Sequence, residues 1–536
     1  MGYLLKILLL TGKLAEPIVH AAARKCPSRY KVDILVMPVD VAALATLESI
    51  SSYLKHRIQP KDYDLIMVSG AVQGSMRKVE EAVGIKLVKG PKHAVDIPTL
   101  LSICDPAELS PDIPADILLG HKLRKSVKAT LKKIETSIAS KPHITIGETF
   151  VPVTPPPIRV MSEVTDAHLL TEEKLLSTIR KRIEDGADII SLGFQPGVAN
   201  PEKVKHSVRL IKKEYDFPLA VDSVIPEEII AGAKAGADMI MSLEAGNIKK
   251  VADKTQQTPA VVIPYDSEEQ FFARTVKDKL RLLERNIKTA LKHNIKKIIA
   301  DPVLNPINFS GTTGTFQSLT AYHRFKRQWP EIPMLMGLCN VTELIDADSL
   351  GVNALLTMFA AEVGASIVLV AEKSPKAQGS TAETAIASQM AALACEKKTS
   401  PIDLGVDLLM LKNKRMIDMP LNTEGAEIVK VEDKTVKRSL DPAGFFTIAV
   451  NSEEKTIDVL YCGAKRKILL RGKTASSIYN EILRRRLLST LSHAFYLGVE
   501  LGKAEEALRT GKNYVQEEKL FEPRKPIRID VTSEDS

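Results

Sequence analysis

Between residues 158 and 373, short apolar runs alternate eight times with amphipathic helical patterns, and this repeat constrains the fold more than any other feature of the chain. The runs are IRVMS (158–162), ADIISLG (187–193), PLAVD (218–222), ADMIMS (237–242), PAVVIP (259–264), KKIIAD (296–301), PMLMG (333–337) and SIVLVAE (366–372). Most are continuously apolar rather than alternating, as parallel strands buried on both faces must be. Between them, segments such as EEKLLSTIRKRIEDG (172–186) and PEEIIAGAKAG (226–236) repeat apolar residues three and four apart and end on glycine. Eight right-handed βαβ units close a barrel, so the expected class is α/β with a central (β/α)8 TIM barrel over 155–400.

Chemistry in that fold gathers where the strands end at their carboxyl side. The residues there are Glu163, Asp166, Gly193, Asp222, Ser242, Glu244, Asp301, Asn340 and Glu372. Asp222 and Asp301 each end an apolar run. A carboxylate so placed either accepts two hydrogen bonds from the amino and ring N–H groups of a heterocycle, or caps the next helix or pairs with a lysine. Asn340, in MGLCNV, either bonds a ring nitrogen or carbonyl or caps a helix beginning near Thr342. Glu163 and Asp166, in MSEVTDAH, are either a general acid and base separated by burial or part of a solvated turn. His168 beside them is not expected to be a ligand. Gly311 and Gly314, in NFSGTTGTF, form either an anion-approaching backbone loop or a plain flexible one.

The flanks carry their own patterns. Residues 1–140 alternate KILLLTG (6–12), KVDILVMP (31–38), DLIMVSGA (64–71) and IKLVKG (85–90) with helical stretches, which predicts a small open α/β domain, Rossmann-like or flavodoxin-like. Its first turn, TGKLAEP, lacks the glycines of a dinucleotide fingerprint. KPHITIGETFVPVTPPP (141–157) ends in prolines that mark a boundary near 155. Residues 438–522 predict a small α+β domain: a hairpin from DPAGFFTIAV and NSEEKTIDVLYCG, then one long helical pattern from Ala475 to about Thr510. The GKT at 472–474 has Lys467 where a phosphate loop needs its first glycine.

No apolar run is long enough to span a bilayer. The five scattered cysteines show no CxxC spacing, which argues for reduced thiols, no metal cluster and a cytoplasmic location. A net charge of +8 spread along the chain suits a solvated surface or an anionic substrate rather than nucleic acid. HExxH, GxSxG and the kinase set are absent, as is a DxHxxG cobalamin motif; TDAHLLT at 165–171 has Thr171 in its glycine position.

The strand ends ADIISLG, LAVDS, AGADMIMS, IIADP and MGLCNV, over roughly 155–395, resemble the pterin-binding superfamily that contains dihydropteroate synthase and the methyltetrahydrofolate corrinoid methyltransferases. With its extensions the chain looks like the archaeal dihydropteroate-synthase-related proteins. The resemblance implies that Asp222 and Asp301 hold the pterin's aminopyrimidinone edge, joined by Ser242, Asn340, Gly193 and Gly337, with Glu163, Asp166 and Lys373 nearest the chemistry. Where a synthase has asparagine in its first-strand loop this chain has Glu163. Asn340 and Val341 replace the synthase's seventh-strand arginine and lysine, and AEKS replaces its Arg-x-His ending. Glu163 and Asn340 resemble the GERIN-like and GxSN motifs of the methyltransferases, although Met241 stands where they have asparagine. Residues of about 440–520 resemble part of the soluble region of one component of the archaeal tetrahydromethanopterin methyltransferase.

Two reactions follow as expectations. The first couples a dihydropterin methyl pyrophosphate to an arylamine in tetrahydromethanopterin or folate biosynthesis, with Lys373 or the Gly311 loop meeting the anion and Mg2+ accompanying the pyrophosphate. The second moves a methyl group between a tetrahydropterin and a corrinoid on another protein. A non-catalytic pterin-binding role within an assembly is the third expectation, and a homodimeric state is left open.

Overall fold

The computed structural model describes residues 4–195, 197–273, 275–308, 314–414, 425–432, 440–521 and 526. It divides into two compact units, Met1–Lys373 with Gly379–Ala426, and Ser374–Gln378 with Glu427–Ser536.

The first unit opens with four parallel strands, β1 (Leu5–Thr11), β2 (Tyr30–Val36), β3 (Leu65–Val68) and β4 (Leu87–Lys89), in the order β2-β1-β3-β4. Leu8 and Leu10 of β1 face one apolar layer while Ile7 and Leu9 face the other, which is why the run is apolar without alternation. The basic segment that follows is a helix, Ala115–Ser137. Residues 141–153, ahead of the prolines that mark the boundary near 155, form a hairpin, not assigned from the sequence, of β5 (His143–Ile146) and β6 (Thr149–Pro152). Ile146 and Val151 of this hairpin are wholly buried among Met161, Ile189, Ala220, Met239, Val261 and Ile367. The hairpin therefore caps the apolar filling of the barrel.

The barrel strands are β7 (Arg159–Val164), β8 (Ile189–Gly193), β9 (Leu219–Asp222), β10 (Met239–Leu243), β11 (Ala260–Val262), β14 (Ile298–Ala300), β15 (Leu335–Gly337) and β16 (Ile367–Ala371). A short hairpin of β12 (Tyr265–Asp266) and β13 (Phe271–Phe272) follows β11. The order β14-β11-β10-β9-β8-β7-β16-β15 is parallel throughout, and a parallel bridge from Ala300 to Met334 closes the ring. The expected (β/α)8 barrel is thus present, with its helices outside.

Local sequence sets those helices. Thr171 accepts a hydrogen bond from Lys174 N to start Glu172–Glu184, and left-handed Gly236 and Gly364 end Pro226–Ala235 and Ser349–Val363.

In the second unit, β17 (Phe445–Asn451), β18 (Thr456–Cys462) and β19 (Lys467–Gly472) make an antiparallel sheet, so the expected hairpin gains a third strand from KILLRG. The single long helix expected from Ala475 is two, Ala475–Arg484 and Leu491–Thr510. Arg486 adopts φ +52°, which no helix continues through, and Thr490 caps the second helix by accepting from His493 N. Among the described residues no helix is long and apolar enough to cross a membrane.

Candidate functional site

Parallel register brings the ends of four adjacent strands, β7 to β10, together. Gly193 pairs with Asp222 across β8 and β9, Asp222 pairs with Met241 of β10, and Glu163 lies between Ser191 and Ala371. A Cβ on Gly193 would overlap Glu163 Oε1, so glycine is what lets this carboxyl reach into the mouth. Ser242, held at φ +63°, donates through Oγ to Asp222 Oδ1 at 2.6 Å. Asn247 Nδ2 fixes that loop by donating to the Ser242 carbonyl at 3.0 Å.

Across the mouth, Asp301 follows β14 and is 8% exposed. Its Oδ1 accepts from Tyr322 Oη at 2.5 Å and from Val303 N at 2.7 Å. Asn340 lies in the short helix Cys339–Thr342, and its Nδ2 donates to the Leu304 carbonyl at 3.0 Å. A Cβ on Gly337 would come within 3.2 Å of Asn340 Nδ2, so the missing side chain makes room for the amide.

Burial dominates the electrostatics here. It raises Glu163 to about 8, assisted by the negative charges of Asp222 and Asp166 and opposed by Lys373. Asp222 is also raised by burial, with the Ser242 hydroxyl opposing. Asp301 is raised to about 6 by burial; the hydrogen bonds from Tyr322 and Val303 and the charge of Lys279 limit the rise, while Asp222 adds to it. The mouth therefore offers a carboxyl that holds its proton more tightly at Glu163 and, across from it, the acceptor Asp301. Such a set can accept hydrogen bonds from the donor edge of a planar heterocycle and give a proton to another of its atoms.

The other strand-end residues have different surroundings. Asp166, at φ +52°, pairs with Lys373 Nζ at 3.2 Å, and Lys373 N donates to Glu343 at 2.9 Å. Lys373 is thus close to Glu163 but already engaged by a carboxylate. Glu244 is enclosed by Gly246 N, Ser267 N and Ser267 Oγ, all within 2.9 Å. Glu372 pairs with Arg182 and accepts from Gly379 N and Thr381 N. Both acids hold loops together instead of joining the cluster. Gly314 N donates to Gln317 Oε1 at 3.2 Å at the start of the helix Thr315–Gln328, so its own N–H is occupied. Gly311 lies outside the described residues.

Two local alternatives are corrected by the geometry. Asp222 does not cap the helix Pro226–Ala235, because Ser223 Oγ takes Ile225 N and Asp222 faces Ser242. Asn340 does not cap a helix near Thr342, since it sits inside the helical turn.

Lys279 and Tyr322 are not singled out by the sequence. Both come from helices whose barrel-facing stripes are otherwise built for packing: Lys279 shares its stripe with Leu282, Leu283 and Ile287, and Tyr322 with Ala321 and Phe325. A lysine on an apolar stripe is the available signal.

Parts of the chain are similar to known proteins. Residues 162–371 match the family described as pterin binding enzyme, residues 440–517 that described as PterinBD-DUF4346, and residues 5–92 a family of unknown function (DUF6513). Dihydropteroate synthase of Streptococcus pyogenes serotype M1 is 24% identical over 145 residues, 25% of this chain and 54% of that enzyme. Among solved structures, dihydropteroate synthase from Xanthomonas albilineans in complex with 7,8-dihydropteroate has 22% identity and a TM-score of 0.38, covering 46% of this chain and 96% of that one. The Yersinia pestis dihydropteroate synthase has 19% identity and a TM-score of 0.37, covering 48% and 99%. Uncharacterized protein MJ0107 of Methanocaldococcus jannaschii is 36% identical over 532 residues, 97% of this chain and 100% of that protein. By that likeness the chain belongs to the family of MJ0107, and its barrel carries the match to the pterin binding enzyme family over residues 162–371.

Proposed function

We propose that the barrel mouth binds a reduced pterin and transfers a methyl group from it to a nucleophilic acceptor, with a corrinoid on a partner protein as the acceptor class. Asp222 and Asp301 take the donor edge of the pterin, and Asn340 offers its amide to a ring atom. The observation that carries the reading is the place of Glu163, whose Oε1 fills the space left open by Gly193 on the neighbouring strand, where burial and the charge of Asp222 raise its carboxyl. When a methyl group leaves a pterin nitrogen, the C–N bonding pair stays on nitrogen and the acceptor's own pair forms the new bond to carbon. The nitrogen must gain a proton, and a carboxylic acid that keeps its proton at neutral pH is suited to give it.

Condensation with an arylamine asks for something else. A departing pyrophosphate needs cations, whereas Lys373 is paired with Asp166, acts on Glu163 and gives its backbone N–H to Glu343. This acidic setting favours methyl transfer over pyrophosphate loss.

The test mixes the full-length protein with a 5-methyl-tetrahydropterin and cob(I)alamin and follows methylcobalamin by absorbance. Its appearance, lost in Glu163→Gln, is expected. Arylamine-dependent pyrophosphate release from a dihydropterin methyl pyrophosphate with Mg2+, without methyl transfer, would overturn the proposal.

A further inference from the structure

Val303 stands two residues after Asp301 at φ +66°, the left-handed region that β-branched residues rarely occupy. Two contacts hold it there. Its N–H donates to Asp301 Oδ1 at 2.7 Å, and its carbonyl accepts from Lys279 Nζ at 2.5 Å. Lys279 reaches in from the helix Val276–Lys292 and is 2% exposed. Its other contact is Ser318 Oγ at 3.1 Å, and that same hydroxyl accepts from Asn305 N.

A buried ammonium is costly unless it is compensated; Lys279 lies in the field of the Asp301 carboxyl, and the hydrogen bonds of its Nζ go to the Val303 carbonyl and Ser318 Oγ. What Lys279 binds is the backbone of the strained turn that carries Asp301. We infer that Lys279 is a positioning residue: by clamping the Val303 carbonyl it fixes the orientation in which Asp301 meets a ligand. The inference deepens the proposed pterin site and rests on it for the identity of the ligand.

The groups facing Asp301 are Tyr322 from the helix Thr315–Gln328, Lys279 from its own helix, Asp222 from β9, and Cys339 after β15. Lys279 is the cation among them and opposes Asp222. Removing it has two consequences that a space-filling residue would not produce. The turn loses its clamp, and Asp301 takes up a proton at higher pH.

The experiment uses the full chain, with Lys279→Met, Val303→Gly and the pair, and 6-methyl-tetrahydropterin as the probe, titrated between pH 5 and 8. Lys279→Met is expected to weaken binding about tenfold or more and to move the acid limb of binding to higher pH. Glycine adopts the left-handed conformation without strain, so in the Val303→Gly background the same change is expected to cost no more than about threefold at pH 8. An equal loss in both backgrounds, or no loss in either, would overturn the inference. If Lys279→Met does not fold, Lys279→Gln keeps a donor for the carbonyl without the charge; it is expected to move the acid limb while holding affinity at pH 8, and an unmoved limb contradicts the inference. Thermal unfolding of the same variants without ligand separates the two readings. Should the native protein bind no pterin, the proposed function fails, while additive ligand-free effects of the Lys279 and Val303 changes would sink the clamp by themselves.

Discussion

Gly193 and Glu163 share one space: the carboxyl of Glu163 lies where a side chain on Gly193 would begin. Gly193→Ala must therefore displace the carboxyl or the strand. Overpacking of this kind costs about 1–3 kcal/mol, and the methyl-transfer rate is expected to fall much further than stability does. Shortening the acid relieves the clash, so Gly193→Ala should be nearly neutral for Tm in a Glu163→Ala background. Equal Tm losses in both backgrounds would show that the two residues do not compete.

The same carboxyl makes stability depend on pH. Its proton is held more tightly in the folded protein, where it titrates at about 8, than in an unfolded chain, where a glutamate titrates near 4.5. Its contribution is therefore fully present below pH 4.5 and is lost as pH rises through about 8. Glu163→Gln, which cannot ionise, is expected to be more stable than the native protein at pH 8 by on the order of 1–3 kcal/mol. The difference should shrink toward pH 5. Denaturant titrations at the two pH values check this, and a pH-independent difference would contradict it.

In the second unit Asp441 is the hub between the sheet and the second helix. Its carboxylate accepts from Ala443 N at 2.9 Å, Ser489 N at 3.0 Å, Thr490 N at 3.1 Å and His493 Nδ1 at 3.0 Å, and from Ser489 Oγ. Burial opposes ionisation, but the Ser489 donors, with Ala443 and His493, outweigh it and hold the group well below the usual carboxylate range. The stabilisation is thus present above pH 3.8 and is lost as pH falls through the lowered value. Asp441→Ala leaves these donors without their acceptor and is expected to cost about 3 kcal/mol. Limited proteolysis should then cut first within residues 440–521; unchanged protection would contradict the assignment.

What could be read from residues alone followed from burial. The eight barrel runs were legible because parallel strands covered on both faces are continuously apolar, and Asp222 and Asp301 stood out as acids ending such runs. The β5–β6 hairpin was hidden because Ile146, Val151 and Pro152 are its enclosed residues, while His143, Thr145 and Thr149 dilute the apolar pattern. The break near Arg486 was hidden because RRRLLST has good helical composition and its left-handed residue is not a glycine. Lys279 and Tyr322 escaped notice because they reach the mouth from helices rather than from strand ends, and only three-dimensional packing brings them to Asp301. Glu244 and Glu372 illustrate the converse, acids at strand ends whose oxygens are held by nearby loops.

In the proposed site Asp222 and Asp301 together take the donor edge of a pterin. Calorimetric titration of the full-length protein with a tetrahydropterin, repeated for Asp222→Asn and Asp301→Asn, tests it most directly. Each change replaces a carboxyl group with an amide that presents donors, and the expected loss is about 1.5–3 kcal/mol, a tenfold to hundredfold weaker Kd. Native affinity in both variants would contradict the account.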